Sequence, residues 1–261
     1  MVPSLSVSDD PAVAYLLRIG DTCLVTAQRL AEWCGHAPTL EEDIALSNMA
    51  LDLLGQARAV LTLAGAHEGR VGGTAFDEDQ LAFLRDERDY RNVTLAELPR
   101  GDFAATTLRN LVLSTFLLLL WQRLQRSSDA ELAGIAGKAV KEARYHREHA
   151  ADWTVRLGDG TPESARRLAA ALDTLWPYVA ELFEDDAVDA AAEASGLGPR
   201  WSALADEWRA AIEAVAAEAG LGLPPSRAFR STGKAGRHSE HLGYILATMQ
   251  HLQRSHPGGV W

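Results

Sequence analysis

Positive charge is in short supply in this chain: 25 Lys and Arg face 36 Asp and Glu, for a formal net charge of −11 at pH 7. Nucleic-acid binding draws its affinity from counterions displaced by basic groups, so the balance argues against it. It suits a soluble cytoplasmic protein. Cysteine is scarcer still, with only Cys23 and Cys34. Both fall in one expected helix, about three turns or ~16 Å apart, so they cannot bridge each other and read as reduced thiols in a reducing compartment. Long apolar runs are missing too. The most apolar one, Leu111 to Trp121, is well short of the ~20 residues a membrane span needs. The first ten residues hold neither a basic n-region nor an apolar h-region, so no signal peptide is expected. Two-residue alternation of β-branched side chains is scarce, and no strand is expected.

Alanine and leucine dominate instead, and they recur at helical steps. Residues 1–10 are expected to be disordered, with Asp9 or Asp10 capping a first helix that has Pro11 at its first position and runs to about Trp33. Thr39-Leu-Glu-Glu42 reads as a capping box, opening a second helix to about Ala64. A connection over 65–102 follows, with a short solvated helix expected over 79–90. Asp102 caps a helix to about Arg126, apolar on every side in its middle, which places it at the centre of the fold or under another chain. Ser128-Asp-Ala-Glu131 opens a helix to Leu157. A helix from Thr161-Pro162 to Glu184, kinked at Pro177, a short alanine-rich turn and an amphipathic helix over 200–219 come next. A loop over 220–238 and a last helix over 239–254 close the chain. Two long helices, a long crossover and two more long helices make an all-α, ferritin-like four-helix bundle over 11–160. The helices of 161–261 pack on it.

The inner stripe of the helix after Ser128 carries the first candidate site. His146 lies between Ala143 and Ala150, with Glu142 one turn before it and His149 three residues on. Acid and imidazole on the inner face of a bundle helix are the material of a carboxylate-bridged di-metal centre. Such a centre uses Glu-x-x-His on two helices and one carboxylate from each of the other two. Here the pairs read Ala143-x-x-His146 and Leu53-x-x-Gln56, and the two lone positions fall at Cys23 and Ser114. The site reads as vestigial, with His146 held by Glu142, Asp52 or Gln56 through hydrogen bonds. The competing expectation is an independent di-metal oxidase built on Glu142, His146 and His149.

A second candidate is the basic cluster Arg227, Arg230, Lys234, Arg237 and His238, uninterrupted by any acid. With the turn Gly233 to Gly236 and a helix starting near Ser239, it reads as an anion site. His238 and His241, at i and i+3, could form a surface metal pair.

Four long strings then carry a family resemblance: RLAEWCGHAPTLEEDIALSNMALDLLGQAR (29–58), LAFLRDERDYRN (81–92), KAVKEARYH (138–146) and STGKAGRHSEHLGYILATMQHLQR (231–254). They are similar to the C-subunit family of the multicomponent phenylacetyl-CoA epoxidases. The resemblance implies a ferritin-like fold and a place in aerobic phenylacetate catabolism. It also implies a homologous A subunit as partner, whose di-iron site epoxidises the ring of phenylacetyl-CoA, and a reductase that supplies electrons from NADPH. A protein of the C type is itself implied to be a non-catalytic scaffold with no cofactor of its own, in a complex that binds neither nucleic acid nor membrane. Lys234, Arg237 and Arg230 then become candidates for holding the coenzyme A moiety.

Overall fold

The computed structural model describes residues 4–225 and 228–259. The helices, in chain order, are α1 (Pro11–Ala31), α2 (Leu40–Val71), α3 (Glu78–Phe83), α4 (Thr94–Glu97) and α5 (Phe103–Leu124). They continue with α6 (Ala130–Gly160), α7 (Pro162–Leu175), α8 (Ala187–Ser195), α9 (Ala205–Glu218) and α10 (Glu240–Ser255). Short 3₁₀ segments sit between them, the longest over Trp176–Phe183. No strand occurs among the described residues, and the fold is the expected all-α, ferritin-like one.

α1 packs along α2 and α5 along α6, with α2 and α6 meeting at a polar seam. Bonded pairs along that seam run 42 with 149, 52 with 146, 56 with 142 and 67 with 129, so the two helices are antiparallel. α1 and α2 approach closely at Gly20: a Cβ there would lie 2.9 Å from Leu61 Cδ2, so that side chain would have to shift. α5 is long and apolar enough to cross a membrane by length and composition, yet 83% of its apolar window is buried inside the protein. α6, α7 and α9 cover it, and Trp208 Nε1 donates to Val112 O at 3.0 Å. Its leucines therefore belong to the protein's own core, each worth about 1.5–3 kcal/mol of burial.

Several helix ends follow the capping rules. Asp10 caps α1 through Ala12 N and Val13 N, and Thr161 forms a full capping box with Ser164. At α6 the cap is Asp129, one residue later than the sequence suggested, accepting from Glu131 N and Leu132 N. At α2, Thr39 accepts from Glu42 N, but the Glu42 carboxylate is taken by His149, 2.8 Å away.

Other expectations are corrected. Residues 4–10 are not free: Leu5 N–H donates to Leu84 O at 3.0 Å, and Ser8 donates twice to Glu68. α2 continues seven residues past Ala64, to Val71. The alanine-rich turn is the helix α8, closed by Gly196 at φ 72°. The expected solvated helix over 79–90 is two short pieces bound into the body by a fully buried ion pair. Arg85 Nη1 donates to Asp21 Oδ2 at 2.9 Å and Nη2 to Oδ1, while Arg91 N–H adds a bond to Asp21 at 2.8 Å. Burial alone would lower the Arg85 pKa; the Asp21 charge and hydrogen bonds outweigh it and raise it.

Candidate functional site

The helices bring the residues of the first candidate site together. Gln56 stands at the centre, 4% exposed, on the inner face of α2. Its Oε1 accepts from Trp121 Nε1 at 3.2 Å and from the Cys23 thiol at 3.8 Å. Its Nε2 donates to Glu142 Oε2 at 3.0 Å. Glu142 also faces Lys138 Nζ, 3.5 Å from Oε1. Burial, reinforced by the charges of Glu142 and Asp21, raises the Cys23 pKa and keeps the thiol protonated. Trp121 is the residue sequence reasoning missed. It reads as one more apolar side chain of α5, and its ring N–H finds a partner 65 residues away.

His146 turns from this chain of bonds to the seam, where Nε2 lies 3.1 Å from Asp52 Oδ2. Burial lowers its pKa and outweighs the opposing pull of Asp52 and Glu142, so the imidazole is neutral at pH 7 and donates to Asp52. His149 reaches Glu42 instead, and does not join Glu142 or His146 at a common point. Beside His146 a cavity of about 10 Å³ is lined by Leu53, Ser114 and Ala143 among others, at the lower limit for one water molecule. The hydroxyls around it are turned to their own helices: Ser114 Oγ donates to Asn110 O at 2.5 Å and Thr26 Oγ1 to Thr22 O at 2.6 Å.

These donors do not fit a di-iron centre, which needs carboxylates from all four helices. The carboxylate in the inner network is Glu142, and an amide and a cation already engage it. Among the described residues no group of three or more His, Cys, Asp or Glu is placed to hold a metal ion. The oxidase reading built on Glu142, His146 and His149 therefore loses its geometry, since each of the three pairs with a different residue of α2.

The basic cluster is not assembled as expected. Arg227 lies outside the described residues. Lys234 is buried, its Nζ donating to Glu184 O at 2.8 Å above the Trp201 ring, with Asp189 4.0 Å away. Burial lowers its pKa. Its backbone N–H is held by Glu181, 2.9 Å away, which also accepts from Ser231 and Thr94 N. Lys234 thus faces inward, its ammonium engaged by the protein's own groups. Arg230 is ion-paired with Glu184, and Arg237 is exposed.

His238 and His241 do not form a metal pair. His238 points inward, with Nδ1 2.7 Å from Glu97 Oε2 and Nε2 3.0 Å from Tyr90 O. A carbonyl and a carboxylate can only accept, so both ring nitrogens carry protons and the ring is an imidazolium. Burial opposes that charge, but the Glu97 hydrogen bond and charge and the Tyr90 carbonyl prevail, and the pKa is raised. Glu97 also receives Ser239 N–H at 2.6 Å, so an internal carboxylate already occupies the start of α10.

Comparison with known proteins adds a family to this geometry. A family model described as "Phenylacetic acid catabolic protein" matches residues 4–261. The chain is also 47% identical over 248 residues to the C-type subunit of the 1,2-phenylacetyl-CoA epoxidase of Escherichia coli (strain K12), an alignment covering 95% of this chain and 98% of that one.

Proposed function

From the premise that the chain belongs to the phenylacetic acid catabolic protein family, we propose that it is the structural C-type subunit of a phenylacetyl-CoA epoxidase. In this reading the di-iron site belongs to a homologous A subunit, which epoxidises the aromatic ring, and a reductase feeds it electrons from NADPH. The present chain stabilises that partner and performs no oxygen chemistry. One observation supports the proposal: the positions the sequence assigns to metal ligands hold Cys23, Leu53, Gln56, Ser114 and Ala143 beside His146, and Gln56 ties the nearby acid, Glu142, to Trp121.

The contact face is better supported on α2 than on α5, whose Leu111 to Trp121 segment is internal. Leu40, Ile44, Leu51 and Leu54 are between 42% and 72% exposed on α2, with Tyr145 of α6 exposed as well. A Cβ on Gly55, Gly134 or Gly137 would meet nothing within 4 Å. An apolar stripe beside open glycines suits close approach by another helix pair. A homologous bundle seated there would bury roughly 2,000 Å² or more. The share of the basic loop in holding coenzyme A rests on Arg237, since Lys234 is internal and Arg230 is engaged by Glu184.

Co-expression with the iron-bearing homologue tests the reading. A stable complex is expected, with iron following the partner, epoxidation only in the mixture, and loss of assembly in Leu51→Asp. Two equivalents of iron in the isolated chain, lost in His146→Ala, would overturn it. For the loop, Arg237→Ala should weaken acyl-CoA binding by the complex at low salt; unchanged affinity removes the loop from the site.

A further inference from the structure

A groove that holds none of the candidate-site residues above except His241 belongs to none of this. It lies between the start of α5, the exposed side of α7 and the mouth of α10, with a volume of about 530 Å³, within the range of small-molecule sites. Its floor is apolar, made by Leu98, Ala105, Ala171 and Leu175, and one end is closed by Tyr178, stacked edge-on against Phe229 at 5.2 Å.

Cations gather around that floor. Arg166 and Arg167 line the groove and share one carboxylate: Arg166 Nε and Nη2 and Arg167 Nε all donate to Glu163, at 2.7 to 2.9 Å. These bonds hold both guanidinium groups in place and leave Nη1 of each without a short bond among the described residues, the nearest acid to Arg167 Nη1 being Asp102 at 3.7 Å. Behind the wall stands Arg109, 1% exposed, whose Nη1 donates to Leu98 O at 2.8 Å and Pro99 O at 3.0 Å. Its Nε and Nη2 have no hydrogen-bond partner, and no carboxylate pairs with it among the described residues. Burial, with Arg29 nearby, lowers its pKa to about 10, so it stays charged at pH 7. Arg166 and Arg167 thus face two acids, Glu163 and the groove's own Asp102, and Arg109 behind the wall has none bonded to it, so these groups leave the apolar groove with one positive charge in excess.

We propose that this groove binds a small amphipathic carboxylate, its apolar body on the α5–α7 floor and its carboxylate on Arg166 and Arg167. Arginine forks suit a carboxylate through paired N–H donors. The apolar floor disfavours a fully hydrated inorganic anion. The inference does not depend on the epoxidase reading, because the groove and its cations belong to this chain alone.

Titration of the full chain with octanoate, followed by amide NMR shifts, tests it, with octanol as the neutral control. Saturable shifts confined to the groove, at Ala105, Ala170 and Thr174, are expected with a Kd of about 1 mM or tighter. Octanol should bind at least about tenfold more weakly, as should octanoate to the Arg166→Ala/Arg167→Ala variant, which loses both charge-assisted contacts. Ala170→Trp, a substitution at an exposed position of the same groove, should block octanoate without lowering the melting temperature. Equal binding of octanol, unchanged binding in the arginine variant, shifts scattered over the surface, or no saturation would each overturn the proposal.

Discussion

Replacing His238 with glutamine should expose how much the C-terminal segment owes to one buried charge. The imidazolium bridges Glu97 and the Tyr90 carbonyl, and the side chains of His238 and Glu97 are 3% and 0% exposed. With so little solvent there, the surface-pair discount does not apply. Removing one partner of a buried pair leaves the other charge uncompensated, at a cost of about 3–5 kcal/mol. Glu97 keeps bonds from Asn92 Nδ2 and Ser239 N–H, so the lower end, about 3 kcal/mol, is expected. For a chain of this size that is a fall of about 6–12 °C in melting temperature. The pH dependence has a definite sign. The folded pKa of His238 lies above its unfolded value of about 6.5. Its stabilisation is therefore complete below about pH 6.5 and is lost as pH rises through the folded pKa. Urea unfolding at a series of pH values, with the His238 ring proton followed by NMR, gives both quantities. A ring that titrates at or below about 6.5, or a His238→Gln variant within about 0.5 kcal/mol of the parent at about pH 6.5, would refute the reasoning.

Three other substitutions have expected outcomes. Asp21→Asn should cost about 3–5 kcal/mol in urea unfolding by stranding Arg85, and hydrogen exchange should show residues 81–92 opening first. Lys234→Met should destabilise by about 3 kcal/mol, against no measurable loss for Arg237→Ala, which separates the internal member of the basic loop from the outer one. Gln56→Glu should place a second carboxylate beside Glu142 and raise its own pKa. The variant should therefore lose stability as pH rises from about 5 to about 8, and metal analysis should find no stoichiometric iron.

The four bundle helices and their inner stripes were legible because the information is local: apolar steps of three and four, caps at Asp10 and Asp102, and Pro11 and Pro162 at first turns. The gathering of Cys23, Gln56, Ser114, Glu142 and His146 followed from those stripes. Of the long-range polar partners, Asp52 of His146 was legible because both lie on the facing stripes; those outside the stripes were not. Arg85 reads as a surface residue until Asp21, 64 positions away, is placed against it. Lys234 reads as a free cation until Glu181, Glu184 and Asp189 close around it, and Trp121 as plain core until Gln56 meets its N–H. The sequence ends α2 at about Ala64, where the apolar stripe stops, but the helix runs on through Gly65, at which a Cβ would lie 1.8 Å from Phe76 O. Tertiary approach, not local conformation, selects that glycine.

Gln56 has a consequence for how such a protein is supplied to the cell. Its amide gives to an acid on one side and receives from an indole and a thiol on the other, so the middle of the bundle closes with groups the ribosome has already delivered. Folding is then expected to make no demand on the mineral nutrition of the cell. During iron starvation this chain should accumulate in finished form, a standing template for any metal-dependent neighbour that matures later, and chelators should leave it intact.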